Sequence, residues 1–299
     1  MESAGSPAVR KAWYAGTWYA AEPDNLRATI TEAIEQARQQ ALERDREGPV
    51  RVAVLPHAGL TYSARGIAHL LRLATRPIRR VLILSPSHNS IVPDDTLSFG
   101  LFSGYDTPLG RLEAFRTGLE RSGPDATIPI QREHAVEMVL PFLAYQQELQ
   151  GQSIAVAMAL ISHVTEPSRA QALAREIADA LGFGQDGGTL LIASSDFSHY
   201  GQRFGYAPFG THVDPRVAAR VREADLEIAR HMAAGELGPL FLSQRVHRCT
   251  ICGIAGAAIA SALARQFSLT GWIADYYNSM DVLGSHAHDF VAYGTVLWR

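Results

Sequence analysis

The chain has 299 residues, 47% of them hydrophobic, with a formal net charge of -3 and a pI near 6.4. Such a chain can bury roughly 75% of its unfolded surface, enough for one large domain or two small ones. The near-neutral balance gives no basic footprint for nucleic acid, and no apolar run approaches the ~20 residues that span a bilayer. Met1 to Lys11 reads as a flexible tail with no secretory core, and Cys249 and Cys252 are too few for a disulfide framework. A reducing cytoplasmic setting is expected.

Trp13-Tyr14-Ala15-Gly16-Thr17-Trp18-Tyr19 is dense in aromatics. It suits a segment pinned to the body, or the rim of a pocket. A helix is predicted from about Asn25 to Glu43, with Asp24 as its cap. Val50–Leu55 is a strand ending in Pro56-His57-Ala58-Gly59; after a helix from Ser63, Arg80–Leu84 is a second strand ending in Ser85-Pro86-Ser87-His88. Strand, helix, strand at this spacing is a βαβ unit, so the two strands run parallel and both histidines lie at one end. Thr96–Phe102 is expected as a strand, Leu112–Leu119 as a short helix, and Glu133–Leu149 as a helix kinked at Pro141. Further strands are expected at Ser153–Leu160, Thr189–Ala193, Leu269–Tyr277 and Phe290–Trp298. Helices are expected at Pro167–Leu181, Pro215–Ala234, Glu236–Gln244 and Cys252–Gln266. The alternation predicts a single α/β domain over 12–299, with helices packed on a largely parallel sheet.

Open α/β sheets bind ligands beyond the carboxyl ends of their strands. Thr189–Ala193 empties into Ser194-Ser195-Asp196-Phe197-Ser198-His199-Tyr200-Gly201, which offers acid, base and hydroxyl groups together. Ser195, Asp196 and His199 lack the G-x-S-x-G elbow of a serine hydrolase. His57, His88 and His199 each follow a strand, and converging imidazoles suit zinc, iron, copper or nickel. Cys249-Thr250-Ile251-Cys252 leaves three readings open: a redox dithiol, half a zinc site, or inert buried thiols. A helix N-terminus at Cys252 would lower its thiol pKa. Glu133, His134 and Glu137 are either a polar wall of a site or a solvated first turn. His163 reads as structural.

Taken together, Pro56-His57-Ala58-Gly59, Pro86-Ser87-His88, Glu133-His134-x-x-Glu137-x-x-x-Pro141-Phe142, Ser194-Ser195-Asp196-Phe197-Ser198-His199-Tyr200-Gly201 and Thr250-Ile251-Cys252-Gly253 occur in the order found in the Memo family. Its prokaryotic members are called AmmeMemoRadiSam system protein B. Ala15-Gly16-Thr17-Trp18-Tyr19 also resembles that family's N-terminus, so the likeness runs from about Ala12 to the end. The resemblance implies a three-layer αβα fold with a mixed, largely parallel sheet, like that of class III extradiol dioxygenases. It implies His57, His88 and Cys252 as metal ligands, the cysteine replacing a carboxylate. His199 would be the catalytic base, or a base behind the ligands, with Asp196 beside it. On the reading of the residues themselves, Glu133, His134, Glu137, Ser195 and Tyr200 are expected to line the pocket. Iron(II) is the implied metal, with copper or zinc as alternatives. The implied function is an oxidoreductase-like metal protein acting on a small molecule, or a binding or signalling adaptor that takes a peptide in the same pocket. A homo-oligomer is compatible with either. The chain departs from the family at Cys249, where a polar non-thiol is expected, and at Ile254-Ala255, where animal members carry a basic pair. His286 and His288 have no assigned role.

Overall fold

The computed structural model describes residues 8–40, 48–73, 76–185, 188–284 and 288–299. The chain opens with a short strand, β1 (Val9–Arg10), and the helix α1 (Pro23–Gln39). β2 (Val52–Leu55), α2 (Leu60–Arg72) and β3 (Arg80–Ser85) form the expected βαβ unit. The strands β4 (Ser98–Phe99), β5 (Gly104–Thr107) and β6 (Gly110–Ala114) and the helices α3 (Thr127–Gln131) and α4 (Leu140–Gln150) lead to β7 (Ala155–Leu160), α5 (Pro167–Leu181) and β8 (Thr189–Ser194). There follow β9 (His199–Tyr200), a 3-10 turn at Gln202–Phe204, α6 (Pro215–Ala234), α7 (Leu237–His247) and α8 (Ile254–Gln266). The chain closes through β10 (Gly271–Asn278), α9 (Ser279–Leu283) and β11 (Phe290–Trp298).

The main sheet runs β1-β5-β6-β7-β3-β8-β2-β11-β10, with β4 on β7 and β9 on β11. Its centre, β7-β3-β8-β2, is parallel, while β11 and β10 join antiparallel. The central strands are covered on both faces, which is why they read as unbroken apolar runs. Alternate side chains divide between two cores. Val52, Val54, Leu82, Leu84, Leu191 and Ala193 pack with Leu173 and Ile177 of α5 and with the small residues of α8. Ala53, Leu55, Val81, Ile83, Leu190 and Ile192 pack with α1, α2 and α4 through Leu26, Ile30, Ile67 and Leu143. The result is a single αβα domain. Leu55 pairs with Ser194 and Leu84 with Ala193, so the chains leaving β2, β8 and β3 emerge side by side.

Several elements differ from expectation. Gly110–Ala114 is a strand because it pairs with β5 across a tight turn at Gly110 (φ 113°) and lies along β7. Pro141 sits in the first turn of α4 and does not kink it; a proline there sacrifices no helical hydrogen bond. Residues 133–139 are instead a run of turns, with Glu137 N donating to His134 O and Leu140 N to Glu137 O. Val9–Arg10 of the expected tail pair with β5, and the Arg10 side chain is fully buried, so the packed body reaches back past residue 12. Residues 1–7 and His286 lie outside the described residues.

Candidate metal centre and pocket

His57, His88 and Cys252 come together at the carboxyl edge of the sheet. One donor atom from each lies within 4.8 Å of the others, and Cys252 Sγ is 3.2 Å from His57 Nε2. His57 is 2% exposed, Cys252 is half-buried, and the His88 side chain is 31% exposed, so the group grades from core to solvent. Cys252 reaches this position because Gly253 carries no side chain. A Cβ there would lie 2.1 Å from Ser194 O and 2.6 Å from Ser195 Cβ, so only glycine lets the start of α8 approach the end of β8. Gly253 N donates to Ser195 Oγ at 3.0 Å and locks the approach.

Hydrogen bonding fixes the tautomer of each imidazole. Ser194 Oγ donates its only proton to Ala135 O at 2.6 Å, so it must accept from His57 Nδ1 at 2.9 Å. Glu133 accepts from His88 Nδ1 at 2.9 Å and from His88 N at 2.7 Å. Burial pushes the Glu133 carboxyl up, but these donors outweigh it and hold it below its usual range, as a carboxylate. His199 Nδ1 donates to Thr250 O at 3.0 Å. In all three rings Nδ1 is therefore committed, which leaves Nε2 as the nitrogen open to a ligand or proton. Burial, with the neighbouring His88, His134 and His199 rings, drives His57 well below the ordinary imidazole range, so it is neutral. A metal-ligating histidine needs these properties: neutral, oriented by a partner on its far nitrogen, and open at the near one.

The thiol behaves differently from expectation. Burial and the Asp196 carboxylate push Cys252 up, outweighing any effect of the helix end, so without a cation its proton stays on and can bridge to His57 Nε2. Cys249 is also raised, to about 11, by burial and Asp225, and it faces Tyr206. Both cysteines are free and sit among different neighbours, which gives a CxxC redox pair no support here.

Asp196 is buried and accepts from His57 N at 2.8 Å; burial raises its carboxyl to about 6. Asp196, His199 and His134 open onto a cavity of about 620 Å³, walled largely by Trp18, Tyr62, Phe204, Phe290 and Tyr293. His134 packs against His88 and Trp18 at centroid distances of 4.4 and 4.6 Å, and burial, then His88, lowers it to about 4. The alternative reading of the N-terminal aromatics as a pocket rim thus fits Trp18.

Not every expected pocket residue is there. Glu137 is buried away from the cavity, receiving Arg10 Nη1, Trp13 N, Tyr14 N and Tyr19 Oη. Ser195 is spent on Gly253. Tyr200 points into a satellite core, stacked on Phe290, with its hydroxyl donating to Gly210 O. Glu133 supports His88 from behind. The missed contributors are Ser194, Tyr62, Tyr293 and Thr250. Only Ser194 and Thr250 had a local signal, lying inside the motifs that carry His199 and Cys252.

A family model for Memo-like proteins matches residues 10–297. The chain is 31% identical to Protein MEMO1 of Danio rerio over 82% of its own length and 80% of that protein. It is 32% identical to Protein MEMO1 of Homo sapiens over 66% of its length, where it spans 65% of the relative. With Protein memo-1 homolog of Caenorhabditis elegans it shares 27% identity over 94% of its length and 75% of that protein. With a match across nearly every described element and the same residues gathered at one sheet edge, the chain belongs to the Memo-like family.

Proposed function

We propose that this protein holds a single metal ion through His57 Nε2, His88 Nε2 and Cys252 Sγ, and uses the adjoining cavity to act on a small organic molecule as a non-haem metal oxidoreductase. What carries the reading is the tautomer pattern: Ser194 and Glu133 each hold an imidazole by Nδ1, which leaves Nε2 to a ligand, and His57 Nε2 lies 3.2 Å from the thiol. Two imidazoles and a sulfur suit iron(II) or copper, tolerate zinc, and disfavour hard cations such as magnesium. Three ligands leave room for a substrate oxygen, and the bound ion would supply redox chemistry to it. The cation would displace the Cys252 proton, which sits beside the neutral His57 ring. His199, with Nδ1 held by Thr250 O, presents Nε2 to the cavity and is placed to take a proton from a bound hydroxyl. The aromatic walls offer faces on which a substrate can be oriented for that transfer.

Metal content after anaerobic purification tests this. Wild type should carry close to one equivalent of iron or copper, and His57→Ala, His88→Ala and Cys252→Ala should each lose it. Equal metal in all four proteins, or none in the wild type, sinks the assignment. The aromatic walls also favour a second reading, a pocket that binds a peptide or modified side chain without turnover. Oxygen uptake with a panel of catechols separates the two. Consumption supports the oxidoreductase; silence from iron-loaded protein, with binding lost on pocket mutation, supports the binder.

A further inference from the structure

Thr250 is joined to His199 by three hydrogen bonds. His199 N donates to Thr250 Oγ1 at 2.8 Å, Thr250 Oγ1 donates to His199 O at 3.0 Å, and His199 Nδ1 donates to Thr250 O at 3.0 Å. The ladder to β11 runs through Phe197 N and Ser198 O, which pair with Ala292, so the backbone N–H and C=O of His199 are left for the threonine. One hydroxyl satisfies both, and the carbonyl of the same residue takes the ring proton. Two residues further on, Cys252 faces His57, and Gly253 is clamped to Ser195. The short loop from Thr250 to Gly253 therefore touches His199 on one side and carries the sulfur ligand on the other.

We infer that Thr250 is a positioning residue that joins the proton-handling His199 to the loop bearing Cys252, so that the orientation of the imidazole and the occupancy of the thiolate are linked. The linkage rests on the metal reading above; the hold on His199 does not. By reciprocity, if freeing His199 from Thr250 weakens the metal, loading the metal tightens the imidazole by the same factor.

The test compares wild type with Thr250→Ser, which keeps the hydroxyl, and Thr250→Val, which keeps the shape without it. Two quantities are measured: the tautomer of His199 in metal-free protein, from ¹⁵N spectra assigned with His199→Gln, and the affinity for Cu(I), by chelator competition. Wild type and Thr250→Ser should show a pure Nδ1–H ring and matching affinities. Thr250→Val keeps the carbonyl that takes the ring proton but frees the His199 backbone from the loop. The ring should then drift off that carbonyl to a mixed tautomer, and Cu(I) should bind at least about tenfold more weakly, the usual loss for a supporting contact. A Thr250→Val protein that matches wild type in both overturns the proposal. So does a changed tautomer with unchanged affinity, because the linkage is then absent, or a Thr250→Ser protein that behaves like Thr250→Val. If Thr250→Val does not fold, Thr250→Ala takes its place. If neither folds while Thr250→Ser does, the hydroxyl serves the fold and the positioning role falls. A wild type that takes up no Cu(I) overturns the metal reading and the linkage with it, while the spectra still decide the hold on His199.

Discussion

Glu133 and Glu137 lie four residues apart in the same run of turns, are equally buried, and carry the same side chain. They do different work. Glu133 faces the sheet edge, where Oε1 takes His88 Nδ1 and Ala135 N, Oε2 takes His88 N, and His134 Nδ1 stands 3.2 Å from Oε1. Glu137 faces the N-terminal segment and gathers a guanidinium, two backbone N–H groups and a phenol. One carboxylate orients a candidate ligand. The other fastens the segment whose Trp18 walls the cavity. Burial and residue type do not distinguish a site residue from a structural one; the donors around it do.

The comparison can be broken from either side. The largest effect is expected for Glu137→Ala, which leaves Arg10 buried without its counter-charge and should cost about 3–5 kcal/mol. Thermal melts should show the loss, while metal per folded molecule stays at the wild-type level; parallel loss of metal would merge the two roles. A third buried carboxylate sharpens the picture through pH. Asp225 accepts from Ser198 Oγ and Tyr276 Oη, yet burial raises its carboxyl from 3.8 to about 6. The folded state thus binds this proton more tightly than the unfolded chain, and the Asp225 contribution to stability should fall as pH rises from about 4 to 6, by up to about 3 kcal/mol. Asp225→Asn should flatten that stretch of the melting profile. Glu133 has the opposite sign: its folded pKa lies below 4.5, so its contribution is present above that pH and lost as pH falls through the folded value. Glu133→Gln should remove that acid-side loss. The smallest expected effect is on metal affinity in the same variant, a 10–100-fold loss, or about 1.4–2.7 kcal/mol, with the fold retained. Unchanged affinity would reduce Glu133 to a structural residue like its neighbour.

The parallel centre of the sheet was legible because strands buried on both faces must be apolar throughout, and Val52–Leu55, Arg80–Ser85, Ala155–Leu160 and Thr189–Ser194 nearly are. His57, His88 and Asp196 followed from it, since parallel strands deliver their exits to one edge. Cys252 as a ligand came from motif resemblance; the one local sign, its place at the start of a helix, pointed to a lowered thiol pKa, and burial reverses that. What stayed hidden depended on partners far along the chain. Leu112 reads equally well on a helix or a strand until β5 and β7 are beside it. Glu137 looked like a wall residue until Arg10 was placed. The tautomers that make the site suitable for a metal rest on Ser194 and Glu133, and no periodicity in the sequence encodes which hydroxyl or carboxylate will face which ring.

The order of strands in the sheet also governs when the site can exist during synthesis. His57 and His88 leave the ribosome together, one βαβ unit carrying both. Yet β2 and β3 are not neighbours in the finished sheet: β8, made much later, slots between them and brings Ser194 under His57. Cys252 follows only after α6 and α7. A growing chain thus exposes two histidines whose spacing and orientation are not yet set, and it gains the sulfur once the centre of the sheet can close. Long-range parallel pairings of this kind form slowly, so His57, His88 and Cys252 come together only after the centre of the sheet has closed around β8.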